Sequence, residues 1–154
     1  MGSGGGMKKQ MFLGIDLGTT FSVVSAFDGE RIWTIPINQR SNKLASCVAF
    51  GKDGIIWYGE EAKDFGKREP KNVIFDVKRI MGMDFDDTMF QSDKKNWTFE
   101  TQKNVNGRIE IVVPNKKTAT SAEEVSQLIL NKVSICLFVG FVDRNSTFKG
   151  NFLD

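Results

Sequence analysis

One short stretch, Phe12-Leu13-Gly14-Ile15-Asp16-Leu17-Gly18-Thr19-Thr20, constrains this chain more than any other. It is an apolar run that carries a single carboxylate and ends on a glycine and two threonines. A buried strand gains nothing from an unpaired carboxylate, which is costly to take out of water. Asp16 therefore marks a place where a cation or strong donors are expected. Gly18 permits a tight turn. In such a turn successive backbone N–H groups can converge on a phosphate, and the hydroxyls of Thr19 and Thr20 can add donors. The stretch reads as a corner for phosphate and Mg²⁺. Taken alone it reads equally well as an ordinary hairpin turn with Asp16 as a turn residue, so the rest of the chain has to decide.

A chain of 154 residues fits one domain and can bury roughly 68–70% of its unfolded surface. With 40% hydrophobic and 26% charged residues and a net charge of +2, it has a globular composition and no announced basic face. Nucleic acid is thus not an implied partner. Nor is a membrane: the longest apolar run, Ile135 to Val142 with Gly140 inside it, is far short of the ~20 residues a spanning helix needs.

Histidine is absent, and the only cysteines are Cys47 and Cys136. That excludes Ser-His and Cys-His nucleophile pairs and the usual structural zinc site. The thiols read as small core residues in a reducing, cytoplasmic setting. Met1-Gly2-Ser3-Gly4-Gly5-Gly6-Met7 has no apolar signal core and reads as an expression leader. Without secretion, the glycosylation patterns at Asn96-Trp97-Thr98 and Asn145-Ser146-Thr147 carry no meaning.

Along the chain, Asp28-Gly29 between β-rich runs predicts a hairpin, which with the first run makes a three-stranded antiparallel meander ending near Pro36. A polar loop at Asn38 to Asn42 precedes strands at Ser46–Phe50 and Ile55–Tyr58, joined by a Lys52-Asp53-Gly54 turn. Glu60 to Phe65 reads as a helix with acids in its first turn. The spacing of Val73, Val77, Ile80 and Met81 predicts a second helix over 73–81, stopped by Gly82. Asp84, Asp86 and Asp87 read as the cap and first turn of a short third helix rather than as metal ligands. Asn106-Gly107 predicts a hairpin between Trp97–Thr101 and Ile109–Val113, with a short strand at Thr118–Thr120 after it. Ser121-Ala122-Glu123-Glu124 is a capping box that opens a helix, and the helical pattern lapses at Ser134.

Several of these segments together resemble the amino-terminal part of the ATPase domain of the seventy-kilodalton heat-shock chaperones, the Hsp70 or DnaK type. Ile15-Asp16-Leu17-Gly18-Thr19-Thr20 resembles that family's first phosphate motif, and Phe75-Asp76-Val77-Lys78-Arg79-Ile80-Met81-Gly82 its Phe-Asp-x-Lys-Arg-Leu-Ile-Gly segment. Val48-Ala49-Phe50, Gly59-Glu60-Glu61-Ala62-Lys63, Phe85-Asp86-Asp87, Gln91-Ser92-Asp93, Trp97-Thr98-Phe99 and Glu123-Glu124-Val125-Ser126 follow in family order. The resemblance covers about Met11 to Val133.

It implies a mixed α/β chain with part of the actin-like ATPase (ribonuclease H-like) fold: residues 8–38 in the lower-lobe sheet with the phosphate motif, 39–115 as a small upper subdomain, 116–133 as a return strand and the start of a helix, and 134–154 as a tail outside the family. It also implies ATP or ADP with Mg²⁺ as ligands, and hydrolysis coupled to binding and release of unfolded polypeptide. J-domain proteins and nucleotide-exchange factors are the partners it implies. By carry-over Asp16 sits near hydrated Mg²⁺, Gly18, Thr19, Thr20 and Phe21 lie at the nucleotide, and Lys78 stands beside the attacking water. Without the motif, Lys78 would read as a solvated helix lysine. Arg79 reads as an ion-pair partner with no catalytic role.

The departures matter too. Lys43-Leu44-Ala45-Ser46-Cys47 replaces a Thr-Pro-Ser segment, and Phe21 stands where tyrosine is common. A second glycine-rich phosphate loop, the adenosine pocket and the later catalytic acids have no counterpart, which suggests a shortened or alternative-end product with little turnover of its own. The alternatives are a non-catalytic interaction module, able to pair with another copy through uncovered sheet edges, and a sugar kinase of the same superfamily, which the Lys78 segment argues against.

Overall fold

The computed structural model describes residues 11–37 and 41–144, with backbone alone for 137–144. The expected leader, the Asn38-Gln39-Arg40 part of the polar loop, the Asn145-Ser146-Thr147 pattern and the rest of 145–154 lie outside the described residues.

The meander forms as its turn chemistry dictates. β1 (Phe12–Leu17), β2 (Phe21–Phe27) and β3 (Ile32–Thr34) pair antiparallel in that order. At the second turn the Asp28 carboxylate accepts from the backbone N–H groups of Glu30 (3.0 Å) and Arg31 (2.9 Å), while Gly29 takes φ +94°. A further strand was not foreseen: β4 (Lys43–Ala45) pairs with the start of β2, Phe21 facing Ala45 and Val23 facing Lys43. Three residues carry too little periodicity to announce a strand. What fixes them is tertiary: the buried Ser22 and Ser46 hydroxyls bond at 2.9 Å, and Ser46 N–H donates to the Thr20 carbonyl at 2.9 Å.

β5 (Cys47–Phe50) is the centre of a second antiparallel sheet, with β6 (Ile56–Tyr58) on one side and β7 (Val73–Phe75) on the other. α1 (Gly59–Gly66) lies over it and buries Ala62 completely. Gly59, at φ +59°, leads into the helix where a side chain would meet Leu44 Cδ1 at 2.7 Å. α2 (Thr88–Asp93) begins at Asp87, whose carboxylate accepts from Met89 N–H at 2.8 Å. Only Asp87 caps the helix as expected; Asp84 instead pairs with Arg108 at 3.2 Å and Asp86 with Lys103, both ahead of its first turn. β8 (Glu100–Lys103) and β9 (Ile109–Val112) make the predicted hairpin. Thr120 adds an isolated bridge to Ile111 where a short strand was expected.

The helix predicted over 73–81 does not form. Val73, Ile74 and Phe75 instead pair with Ala49, Val48 and Cys47. The chain then turns at Asp76, in the left-handed region at φ +57°, into a single 3₁₀ turn, Val77–Arg79. Val73, Val77 and Ile80 are all buried, so the helical spacing was a true core pattern written on a strand followed by a turn. β-branched and aromatic residues with an open strand beside them gain more from cross-strand pairing than from helix.

α3 (Ala122–Arg144) also corrects the sequence reading, because the helix runs on through Ser134. Extending a helix costs far less than starting one, and no proline interrupts it. Its start is the expected capping box: Ser121 Oγ accepts from Glu124 N–H at 3.1 Å and Glu124 accepts from Ser121 N–H at 3.3 Å. Val125, Ile129 and Val133 bury one stripe against β2, β5, β9 and the Val77–Arg79 turn. The core continues as an aromatic series, Phe85, Phe90, Trp97, Phe99 and Phe75, with neighbouring ring centroids 5.3–5.8 Å apart. Buried Asn72 ties the sheets together: its side chain accepts from Asn115 N–H (2.9 Å) and donates to Glu69 (3.0 Å), which also receives Asn115 Nδ2 at 2.8 Å.

Candidate functional site

The corner begins where β1 ends. Gly18 is forced by space: a Cβ there would lie 2.4 Å from the Phe21 carbonyl oxygen, closer than any real contact. The turn thus folds back on itself tightly enough to expose backbone rather than side chains. Thr19 is half-buried and Thr20 exposed, while the Thr20 carbonyl is held from outside by Ser46 N–H. Asp16, two residues before the glycine, is exposed on β1 and shares a face with Phe12 and Gly14.

Lys78 arrives from the far side of the fold. Buried Val77 and Ile80 anchor its 3₁₀ turn, and the left-handed Asp76 swings it out of β7. Arg79 is held by Asp76 at 3.5 Å, the structural pairing expected of it. Lys78 Nζ donates to the Leu17 carbonyl at 2.8 Å, between Asp16 and Gly18 in sequence. This bond joins the two segments whose motifs had been singled out separately.

Beside the turn lies a small cleft of about 180 Å³, lined by Thr19, Thr20, Ser46, Cys47, Lys63 and Asp76 among others. Phe21 follows Thr20 in the chain and has Lys63 Nζ 5.2 Å and Lys43 Nζ 5.9 Å from its ring centroid, within range of cation–π attraction. Lys63 and Asp76 lie in the segments that carry the resemblance, but neither they nor Lys43 were singled out as site residues; the packing of α1, β4 and β7 around the turn brings them there. The Cys47 thiol is buried, which pushes it up to about 11, and it donates to the Gly59 carbonyl at 3.2 Å.

A family model for Hsp70 protein matches residues 12–136. The chain belongs to the Hsp70 family. Among curated Hsp70 relatives, heat shock cognate 70 kDa protein 3 of Dictyostelium discoideum is 36% identical over 124 residues, covering 79% of this chain and 20% of that protein. A heat shock protein of Pyricularia oryzae is 34% identical over 122 residues, 79% of this chain and 20% of that one. Heat shock cognate HSP70 protein of Trypanosoma brucei brucei is 39% identical over 95 residues, 62% and 14% respectively. The chain spans about a fifth of the length of the first two relatives. Membership implies the actin-like ATPase fold, and the mixed α/β architecture with small antiparallel sheets is consistent with part of such a domain. The match reaches Cys136, a few residues past Val133, where the motif resemblance stops.

The residues of the corner fit the nucleotide and Mg²⁺ that the resemblance implies. Among the described residues no three His, Cys, Asp or Glu side chains converge; Asp16 would hold a Mg²⁺ ion whose remaining shell came from phosphate oxygens and water, as is common for this ion. The glycine that only a bare backbone can occupy, two threonines and a lysine ammonium provide donors without a competing acid in the turn. Among the described residues no helix is long and apolar enough to cross a membrane.

Proposed function

We propose that the corner binds Mg·ATP and Mg·ADP as part of a chaperone ATPase that couples ATP hydrolysis to binding and release of unfolded polypeptide. The observation that carries this reading is the Lys78 to Leu17 bond at 2.8 Å, which sets the lysine at the glycine turn. An ammonium has three N–H donors. One goes to the Leu17 carbonyl, which fixes the arm, and two remain for a phosphate oxygen and the attacking water. Gly18, Thr19 and Thr20 cradle phosphate oxygens, and Phe21 forms the rim. Asp16 orients water around Mg²⁺, which when bound neutralises charge on the phosphates. Phosphoryl transfer asks mainly for positioning and charge stabilisation, and these groups supply one wall of that.

Because the family's second phosphate loop, adenosine pocket and later acids have no counterpart in these 154 residues, turnover by this chain alone is expected to be small or nil. J-domain proteins and nucleotide-exchange factors are the partners this reading expects, and a cytoplasmic location fits two buried free thiols. Calorimetric titration with Mg·ATP and Mg·ADP tests the reading. Binding that falls at least tenfold in both Asp16→Ala and Lys78→Ala supports it; no binding by the folded chain, or binding that both variants retain, refutes it. A second reading, an interaction surface, is favoured by the exposed apolar residues of β1, whose outer edge no strand pairs among the described residues.

A further inference from the structure

Behind the glycine turn lies a buried pair of hydroxyls that contacts with phosphate do not themselves use. Ser22 and Ser46 are 0% and 4% exposed, and their hydroxyls bond one another at 2.9 Å. Ser22 shares the core face of β2 with buried Val24 and Ala26. An apolar side chain would be buried there at less cost, because a hydroxyl taken out of water needs a partner. What the hydroxyl pair adds is direction. β4 is three residues long, and so short a strand has little of its own to fix its register. Ser22 stands opposite Leu44, so its bond to Ser46, two residues further on, runs diagonally and keeps β4 from sliding along β2.

The same serine holds the turn from outside. Ser46 N–H donates to the Thr20 carbonyl at 2.9 Å. That carbonyl is on the side of β2 away from β1: Ile35 N–H reaches the Val24 carbonyl there at 2.8 Å, and Thr20 and Val24, an even number of residues apart, face alike. A trans peptide carries its C=O and N–H on opposite sides. With the Thr20 carbonyl turned to Ser46, the Phe21 N–H is turned to the glycine turn. A second observation agrees. The atom that a Cβ on Gly18 would strike at 2.4 Å is the Phe21 carbonyl oxygen, and both polar groups of a strand residue point the same way. Ser46 also lines the small cleft beside Thr19 and Thr20.

We infer that Ser46 is a positioning residue for the nucleotide phosphates. Clasped to Ser22 through its hydroxyl and to Thr20 through its N–H, it bridges the two neighbours of Phe21 and locks the Thr20–Phe21 peptide. The lock holds the Phe21 N–H toward the turn as a preset donor to a phosphate oxygen, so no reorientation is needed when the ligand arrives. Ser46 acts through that peptide and does not itself touch phosphate. The inference rests on the phosphate reading of the corner.

Three variants, Ser22→Ala, Ser46→Ala and the double Ser22→Ala/Ser46→Ala, separate positioning from plain stability. Either single change leaves one buried hydroxyl without its partner and should lower Tm; the double change removes both hydroxyls and should recover most of that loss. Affinity for Mg·ADP, measured by calorimetry, should not recover with it: a fall of at least tenfold is expected in the double variant. NMR reads the lock without nucleotide. The Thr20 carbonyl carbon and the Phe21 amide nitrogen should broaden by exchange in the double variant and stay sharp in the parent. Affinity that follows Tm back to the parent value, or Thr20–Phe21 signals that are the same in parent and double variant, overturns the inference. A parent chain that binds no Mg·ADP refutes the phosphate reading instead, and the peptide signals then decide alone whether Ser46 holds the Phe21 N–H.

Discussion

Replacing Gly18 by alanine asks whether the turn needs a bare backbone. The added Cβ would lie 2.4 Å from the Phe21 carbonyl oxygen, and real contacts do not fall below 3.0 Å, so the turn must open by at least 0.6 Å. The atom in the way is backbone, at the first residue of β2, and cannot swing aside as a side chain would. Forcing atoms into a filled site costs about 1–3 kcal/mol, and the stiffer unfolded chain returns about 0.4–1 kcal/mol. A net loss of about 1–2 kcal/mol corresponds to a fall in Tm of roughly 2–8 °C for a chain of this size. The control sits on the same strand: Gly14→Ala meets nothing within 4 Å and should shift Tm by about 2 °C or less. Thermal melts followed by circular dichroism, with nucleotide titrations of each variant, read both effects. Equal melting temperatures and equal affinities for Gly18→Ala and Gly14→Ala would refute the steric reasoning.

Asn72→Ala should destabilise by about 1–3 kcal/mol in urea unfolding, because Asn115 N–H and the Glu69 carboxylate both lose a partner in a partly buried setting. The Glu124 carboxyl is held below its usual range, first by the Thr120 hydroxyl, with burial opposing and Ser121 N–H and Lys116 assisting. Its contribution is therefore present above the ordinary glutamate pKa and lost as pH falls through the folded value; Glu124→Gln should flatten the acid limb of stability against pH. Burial raises the Cys47 thiol from 9.0 to about 11, so the folded state holds that proton longer than the unfolded one. Its contribution is complete below pH 9 and fades toward about 11, and a thiol reagent near pH 8 should label Cys47 slowly until denaturant is added.

Turn and cap chemistry made much of the fold legible. Asp28-Gly29, Asn106-Gly107, Asp87 and the Ser121–Glu124 box each act through bonds within a few residues, and each forms as its sequence dictates. The misreadings share a different cause. Val73–Phe75 and Lys43–Ala45 become strands because β5 and β2 offer them edges, and no window around either stretch contains that information. The candidate site divides in the same way. Asp16, Gly18, Thr19, Thr20 and Lys78 could be singled out as site residues from motifs, whereas the place of Lys43, Lys63 and Asp76 beside the turn depends on contacts distant in sequence.

The Lys78 to Leu17 bond also bears on how the molecule comes into being. Its ends are 61 residues apart, and closing so long a loop costs about 3–4 kcal/mol of chain entropy before any contact compensates. Contacts of that span slow folding and form after local ones. The meander, α1 and the β8–β9 hairpin can arise from neighbouring residues, but the corner exists only once β7 has docked on β5 and carried Lys78 across. Recovery of nucleotide affinity during refolding should therefore trail the recovery of secondary structure, making the ligand a reporter of completed topology.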